Sequence, residues 1–154
     1  MARLDLGKGL DMYIRKLEKI SDSREILGPC VYEGAKIVTD QIRTQIQMIP
    51  DSGDYVPEGQ KRSGATDTER SGLLAGLGIA KMTDDRGFLN VKPGFTGKNA
   101  DGQLNTTVAR AINSGTSFRK AYPFMSRAVS SSRAAAEAAI EKKLNEELRK
   151  VFGS

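Results

Sequence analysis

An apolar stripe begins at Val31 and ends just before Pro50. Apolar residues recur in it every three to four positions with polar side chains between them, as on the buried face of an α-helix. Proline lacks a backbone N–H and cannot continue a helix, so Pro50 should end it. The sequence therefore predicts a long amphipathic helix over 31–49. Its buried face would consist of Val31, Ala35, Val38, Ile42, Gln45 with Ile46, and Ile49.

Two shorter patterns precede this helix. Leu10, Ile14 and Leu17 have helical spacing and predict a short amphipathic helix near the N-terminus. Residues 21–23, Ser-Asp-Ser, carry side chains that cap helix N-termini, which favours the start of a second helix there. Residues 28–29, Gly-Pro, leave two alternatives open: they are either the first turn of that helix or a break before the main one.

The segment from Asp51 to Gly72 has a different composition. Gly, Pro, Ser, Thr and charged residues dominate it, and apolar residues are scarce. Such a segment has few side chains whose burial would offset the entropy cost of ordering. We expect a long exposed loop over 51–72 that is mobile in the isolated protein. Because it exceeds the usual length of a connection, it should be either functional or disordered until it meets a partner.

The middle of the chain predicts a β-hairpin and a short helix. Two apolar segments, 73–82 and 88–93, flank the turn-forming sequence Asp-Asp-Arg-Gly at 84–87, which is typical of a strand-turn-strand unit. Around 108–112 the apolar spacing favours a short helix, with a strand or bridge as the alternative. Gly115 can end that helix with a positive φ.

The last helix should begin at Pro123 and run to the C-terminus, with Phe124 anchored in the core. The expected architecture is α+β: a single domain over 1–154, in which a small, mainly antiparallel sheet packs against the long central helix and the long C-terminal helix. The inner face of the last helix would consist of Phe124, Ala128, Ser131/Ser132, Ala135/Ala136, Ile140, Leu144, Leu148 and Val151/Phe152.

Composition argues against an enzyme. The chain has no histidine and one cysteine, Cys30, so it lacks the commonest general base and cannot form an internal disulfide. Cys30 borders an apolar helix, which favours a buried structural thiol. Residues 84–85, Asp-Asp, are more typical of a turn than of a metal site, and residues 94–99 lack the Ser or Thr that follows Lys in a phosphate-binding loop. We expect no catalytic residue, cofactor or metal; a carboxylate-dependent enzyme is the least favoured class. We also expect neither a secretion signal nor a membrane-spanning segment, because residues 1–8 lack the apolar stretch of a signal peptide and the longest nearly apolar run, 72–80, is too short to cross a bilayer.

Three motifs follow one another in an order that resembles a known family. The first is the helix that ends at Pro50. The second, Arg-Ser-Gly-Leu-Leu at 70–74, is similar to a Thr-Gly-x-Leu step into a strand. The third pairs Gly-Thr at 115–116 with Pro-Phe at 123–124 and an alanine-containing helix. Together they resemble the head-tail neck and tail-completion proteins of long-tailed bacteriophages, which include lambda-like minor tail proteins.

The resemblance implies a structural virion protein that is assembled in the host cytoplasm and joins the DNA-filled head to the tail. Copies would form a ring through unlike surfaces, although the isolated chain could be monomeric. The implied partners are other copies, head-completion or connector proteins, and tail terminator or tail tube proteins, with a passing contact to DNA. Two roles would explain the presence of the motif residues: they contact a neighbouring subunit, or they only position the last helix. The candidates are Gly72, Leu73, Gly115, Thr116, Pro123 and Phe124.

The alternative function is a basic DNA-binding module. The net charge is +5, with 24 Lys and Arg residues against 19 Asp and Glu residues, and such a balance attracts polyanions. Four cations near the start of the last helix are the candidate DNA-facing residues: Arg119, Lys120, Arg127 and Arg133. The lumen of a neck could use the same charge.

Overall fold

The computed structural model describes residues 23–53, 55–86 and 88–153. The predicted helix around Leu10, Ile14 and Leu17 lies outside them. The architecture is α+β, as predicted, and the two long helices pack together. In chain order the elements are α1 (Ser23–Gln47), α2 (Asp67–Gly76), β1 (Leu77–Ile79), β2 (Thr83–Asp85), β3 (Phe88–Asn90), β4 (Pro93–Phe95), α3 (Asn105–Ser114) and α4 (Phe124–Phe152).

Helix α1 is longer than the apolar stripe suggested. It begins at Ser23, and Pro29 lies inside it. Both alternatives for residues 28–29 were therefore wrong: they are neither a first turn nor a break. The physical reason is packing, because Ile26 and Cys30 are buried on either side of the proline and tertiary contacts override the local penalty of a proline in a helix. The predicted stop is confirmed, since α1 ends at Gln47.

Helices α1 and α4 form an antiparallel pair. Gly34 on α1 lies against Ile140 on α4, and a Cβ built on it would come within 2.7 Å of Ile140 Cδ1. At the other end of the pair, the Tyr122 hydroxyl donates a hydrogen bond to the Met48 carbonyl. Small side chains at the contact let the two backbones approach closely. The residues of α4 buried against its neighbours recur every fourth position: Phe124, Ala128, Ser132 and Ala136.

Helix α2 corrects two predictions. Residues 67–72, expected to belong to a loop, and residues 73–76, expected in a strand, are helical. A capping box starts the helix: the Glu69 N–H donates to Thr66 Oγ1, and the Thr66 N–H donates to Glu69 Oε2. Burial of Leu73 then holds the helix against the core. The second family-like motif is thus part of a helix and not a step into a strand, and the loop is limited to 51–66.

The predicted hairpin is confirmed between Leu77 and Phe95, which face each other in the register of β1 and β4. Strands β2 and β3 continue it, with Asp85 opposite Phe88, and the Ala80 N–H donates to the Lys92 carbonyl between the two pairs. The hairpin covers α1, where the Met82 N–H donates to the Tyr32 hydroxyl oxygen.

The core lies where α2, α3 and the hairpin meet the α1–α4 pair. Phe124 is fully buried at its centre, as predicted, and its ring meets the edge of the Phe95 ring with centroids 6.3 Å apart. Helix α3 also matches the prediction and is followed by Gly115 with φ 76°. The buried cluster consists of Ile42, Ile46, Ile49, Ala65, Leu73, Leu77, Val108, Ala109, Ile112, Phe124 and Ala128.

Candidate interaction surface

A tight turn over residues 115–119 presents an aromatic side chain to solvent. The Thr116 N–H donates to the Arg119 carbonyl at 2.9 Å, and Thr116 Oγ1 accepts from the N–H groups of Phe118 and Arg119 at 3.1 and 3.0 Å. Gly115 supplies the positive φ that leads into the turn. Phe118 sits near its tip and is 82% exposed. We call residues 115–119 the Phe118 turn.

The loop 51–66 is joined to the Phe118 turn by backbone hydrogen bonds. The Arg62 N–H donates to the Phe118 carbonyl at 2.9 Å, and the Lys120 N–H donates to the Arg62 carbonyl at 2.8 Å. The Lys61 Nζ adds a bond to the Thr116 carbonyl. The second half of the loop and the turn therefore lie side by side.

A buried ion pair fixes the Phe118 turn to helix α2. The Arg119 guanidinium donates to Glu69 Oε1 at 2.6 Å and to Oε2 at 3.3 Å. The side chains are 11% and 5% exposed, respectively. Arg119 was predicted to face DNA, and this was wrong, because its charge is neutralised by Glu69 inside the protein. The residue instead holds the turn in place.

The environment of Glu69 keeps its carboxylate charged. Burial by itself would raise the pKa of Glu69, but the hydrogen bonds from Arg119 and the Thr66 N–H, together with the charges of Arg119 and Arg62, lower it below the usual value. Arg62 lies 3.7 Å from the carboxylate and also donates to Ser52 Oγ. A carboxylate that accepts this many bonds suits a structural anchor better than a general base.

Exposed apolar side chains gather on the elements beside this anchor. Tyr55 is 80% exposed, Val56 is exposed in the same loop, and Met48 is exposed where α1 leads into it. Phe118 lies on a turn that is hydrogen-bonded to the same loop, and we call these four residues together the apolar loop surface: Met48, Tyr55, Val56 and Phe118. Single exposed apolar residues are ordinary; these four are a candidate contact surface because they lie on the loop 51–66 and on the two segments that border it or are hydrogen-bonded to it.

An open cavity of about 510 Å³ lies on the other flank of the ion pair, between α3 and the loop that precedes it. Leu104, Val108 and Ala111 supply its apolar lining, and Glu69, Lys98 and Arg119 are its charged residues. Since Arg119 neutralises Glu69, the cavity does not present a free carboxylate to a substrate.

The residues of the family-like motifs are mainly internal. Leu73 and Phe124 are fully buried, and a Cβ on Gly72 would come within 2.6 Å of Asn99 Cβ. The predicted subunit contact through these three residues is therefore wrong for the folded chain, because they already pack against their own protein. Gly115 and Thr116 build the Phe118 turn described above. Pro123 is the N-cap residue of α4.

Three of the four candidate DNA-facing residues, Lys120, Arg127 and Arg133, are exposed. The Arg127 guanidinium lies 4.4 Å from the centre of the Tyr122 ring, a cation–π contact. Sequence reasoning missed Arg110, an exposed cation on α3, and also missed Glu69. The Thr66-x-x-Glu69 spacing of a capping box was the available signal for Glu69.

Cys30 is buried as expected, and its thiol donates to the Ile26 carbonyl at 3.1 Å. Burial raises the pKa of the thiol, and nearby Glu147 raises it further, so the neutral form is favoured. Over residues 23–53, 55–86 and 88–153, the structure contains no group of three or more acidic or cysteine side chains arranged to hold a metal ion. Across these same residues, no helix is both long and apolar enough to cross a bilayer.

Comparisons with known proteins give no relative: no protein-family model, curated protein or solved structure matches this chain.

Proposed function

We propose that this protein is a structural component of a tailed-phage virion, a neck or tail-completion protein that joins the DNA-filled head to the tail as a ring of copies. The helix that ends at Pro50 is followed, in the order found in the family, by Gly-Thr at 115–116 and Pro-Phe at 123–124. This resemblance supports the assignment. The observation that carries an assembly role is the exposed Phe118 on a turn anchored by the Glu69–Arg119 pair.

The anchored turn is suited to binding because its backbone is already ordered. A contact made through a flexible loop pays the ordering entropy when it forms, whereas the Phe118 turn has its conformation fixed by Thr116 and Arg119. Covering one aromatic side chain of this size contributes about 1.5–3 kcal/mol. Phe118 therefore offers a neighbouring copy a preformed apolar contact.

A ring of copies forms when each copy contacts the next through two unlike surfaces and the rotation between them closes. In the proposed ring, the apolar loop surface of one copy therefore meets a different surface on the next copy. One small apolar surface gives a weak contact between free monomers. A head or tail that holds several copies raises their local concentration, and the same contact then closes the ring. We infer that assembly takes place on the template.

Deletion of the gene from its phage tests this proposal. Electron microscopy of lysates should show DNA-filled heads beside separate tails, and addition of the purified wild-type protein should join them. Phe118→Ser should fail to restore joining. Val151→Ser is the matched control, since Val151 is an exposed apolar residue near the far end of α4 and should restore joining fully.

Two outcomes would contradict the proposal. Normal infectious virions from the deletion strain would exclude a neck role, and empty heads would indicate a role in DNA packaging. Joining restored equally by both serine variants would leave the neck role standing but reject the apolar loop surface as the contact.

A further inference from the structure

The positive charge of the chain is concentrated in one segment. Residues 97–133 contain six Lys and Arg residues and a single acid, Asp101, and thus carry a net charge of +5. The whole chain has the same net charge of +5. The remainder is therefore neutral on balance, and its charges are distributed between both signs.

Four exposed cations of this segment lie around the junction of α3 and α4. The Tyr122 N–H donates to the Ile112 carbonyl at 2.7 Å, and the Met125 N–H donates to Asn113 Oδ1 at 3.0 Å. These bonds hold the end of α3 against the start of α4. The cations are Arg110, one turn before Asn113, Lys120, just before α4, and Arg127 and Arg133, on its first turns.

The first turns of α4 expose cationic and hydroxyl side chains to solvent. Arg127 and Arg133 are exposed and flank the side of α4 that is opposite its buried residues, about 120° apart around the helix axis. Six residues of helix separate them, or about 9 Å along the axis. Exposed serines lie between and beside them, and the first acid of α4 is Glu137. The serines are Ser126, Ser130 and Ser131.

None of these four cations has an acidic partner among the described residues, whereas about half of the other described Lys and Arg residues have one. On α1, Lys36 pairs with Glu33 and Arg43 with Asp40, and at the far end of α4 Lys150 pairs with Glu147. Among residues 23–53, 55–86 and 88–153, no carboxylate lies within ion-pair distance of any of the four. Their charge is not neutralised internally.

We propose that Arg110, Lys120, Arg127 and Arg133 form a surface that binds the phosphate backbone of duplex DNA without reading its sequence. Guanidinium, ammonium and serine hydroxyl groups are the donors that contact phosphate oxygens in such complexes. Unpaired cations gain most from a polyanion, because binding releases the counterions condensed on the nucleic acid. The inference is independent of the proposed neck function, since it concerns the free protein.

Fluorescence anisotropy with a labelled DNA duplex of mixed sequence tests the proposal on the full chain. The dissociation constant should lie at about 10⁻⁴–10⁻⁶ M at physiological salt. Four phosphate contacts should weaken binding on the order of 100-fold between about 50 and about 200 mM salt. Salt dependence of this steepness would identify the phosphate backbone as the ligand.

A matched pair of triple variants locates the surface. Arg110→Gln/Lys120→Gln/Arg133→Gln should lower the slope of affinity against salt by about three and abolish most binding. Lys142→Gln/Arg149→Gln/Lys150→Gln removes the same charge from the far end of α4 and should bind as wild type does. Arg110→Lys/Arg133→Lys keeps the charge and should retain binding, and circular dichroism should show all three variants folded.

Three results would overturn the proposal. If the wild-type protein did not bind the duplex at low salt, the proposed surface would not exist. If the two Gln triple variants lost equal affinity, the net charge of the chain, and not this surface, would be responsible for binding. A parallel measurement with phosphatidylserine vesicles separates the two sources of phosphate. Binding to vesicles but not to the duplex would assign the surface to lipid headgroups instead.

Discussion

Glu69 and Arg119, 50 residues apart in the sequence, form an ion pair with a 2.6 Å contact between the Glu69 Oε1 and an Arg119 guanidinium nitrogen. Glu69 belongs to the capping box of α2, and Arg119 ends the Phe118 turn. One buried contact thus connects the start of a helix to the turn that exposes Phe118. Loss of either partner should disturb both elements.

Glu69→Gln should destabilise the protein by about 3–5 kcal/mol, because it leaves the Arg119 charge buried without its partner. Denaturant unfolding measures this loss. Glu146→Gln is the control: Glu146 is exposed and lies 3.7 Å from Lys143, and the loss of such a surface pair should cost less than about 1 kcal/mol. Similar losses in the two variants would contradict the structural importance of the Glu69–Arg119 pair.

The same pair predicts a pH dependence. The pKa of Glu69 is lower in the folded protein than in the unfolded chain, so the folded state favours the charged carboxylate. This contribution to stability is present above the unfolded pKa, close to 4.5, and is lost as the pH falls through the lower folded pKa.

The measurement compares the free energy of unfolding of wild type and Glu69→Gln from neutral to acid pH. The difference between them should be constant near neutrality and shrink below about pH 4.5. Glu33 and Glu147 also have lowered pKa values, but both proteins retain them, so their effects cancel. A difference that grows towards acid pH would contradict the sign of the shift.

Periodic patterns in the sequence predicted most of the secondary-structure elements. Helix α1 from residue 31 onward, helices α3 and α4, and the hairpin follow from local spacing or turn chemistry, which the sequence displays directly. Helix α2 did not follow, because Ser71 and Gly72 give it a composition typical of loops. Its stability comes from the capping box and from tertiary burial of Leu73, and only the first of these can be recognised locally.

The candidate site could be predicted only in part. Arg119 and Lys120 are adjacent cations that no local pattern distinguishes. Their different roles depend on Glu69, a distant residue that the fold brings to Arg119 alone. Phe118 and Phe124 present the same difficulty, since an aromatic residue can anchor a core or face a partner.

The two phenylalanines should therefore respond differently to truncation. Phe124→Ala should cost about 3–5 kcal/mol, because the side chain is fully buried in the core. Phe118→Ala should change stability by less than about 0.5 kcal/mol, because its side chain contacts mainly solvent. Denaturant unfolding of the two variants measures both values. A loss below about 1 kcal/mol for Phe124→Ala would mean that this residue does not anchor the core.

Limited proteolysis should show that the first half of the loop 51–66 is more susceptible to cleavage than its second half and the Phe118 turn to which that half is anchored. Tyr55 is exposed, and among the described residues 51–53 and 55–60 only the N–H groups of Ser52 and Gln60 donate backbone hydrogen bonds to other described residues. The Phe118 turn, in contrast, is closed by Thr116 and joined to Arg62. Chymotrypsin requires a locally opened backbone, so it should cleave after Tyr55 before it cleaves after Phe118, even though both rings are exposed. Mass spectrometry of the early fragments identifies the sites. Earlier cleavage after Phe118 would mean that the turn is less ordered than the loop, and would remove the preformed contact on which ring assembly is proposed to depend.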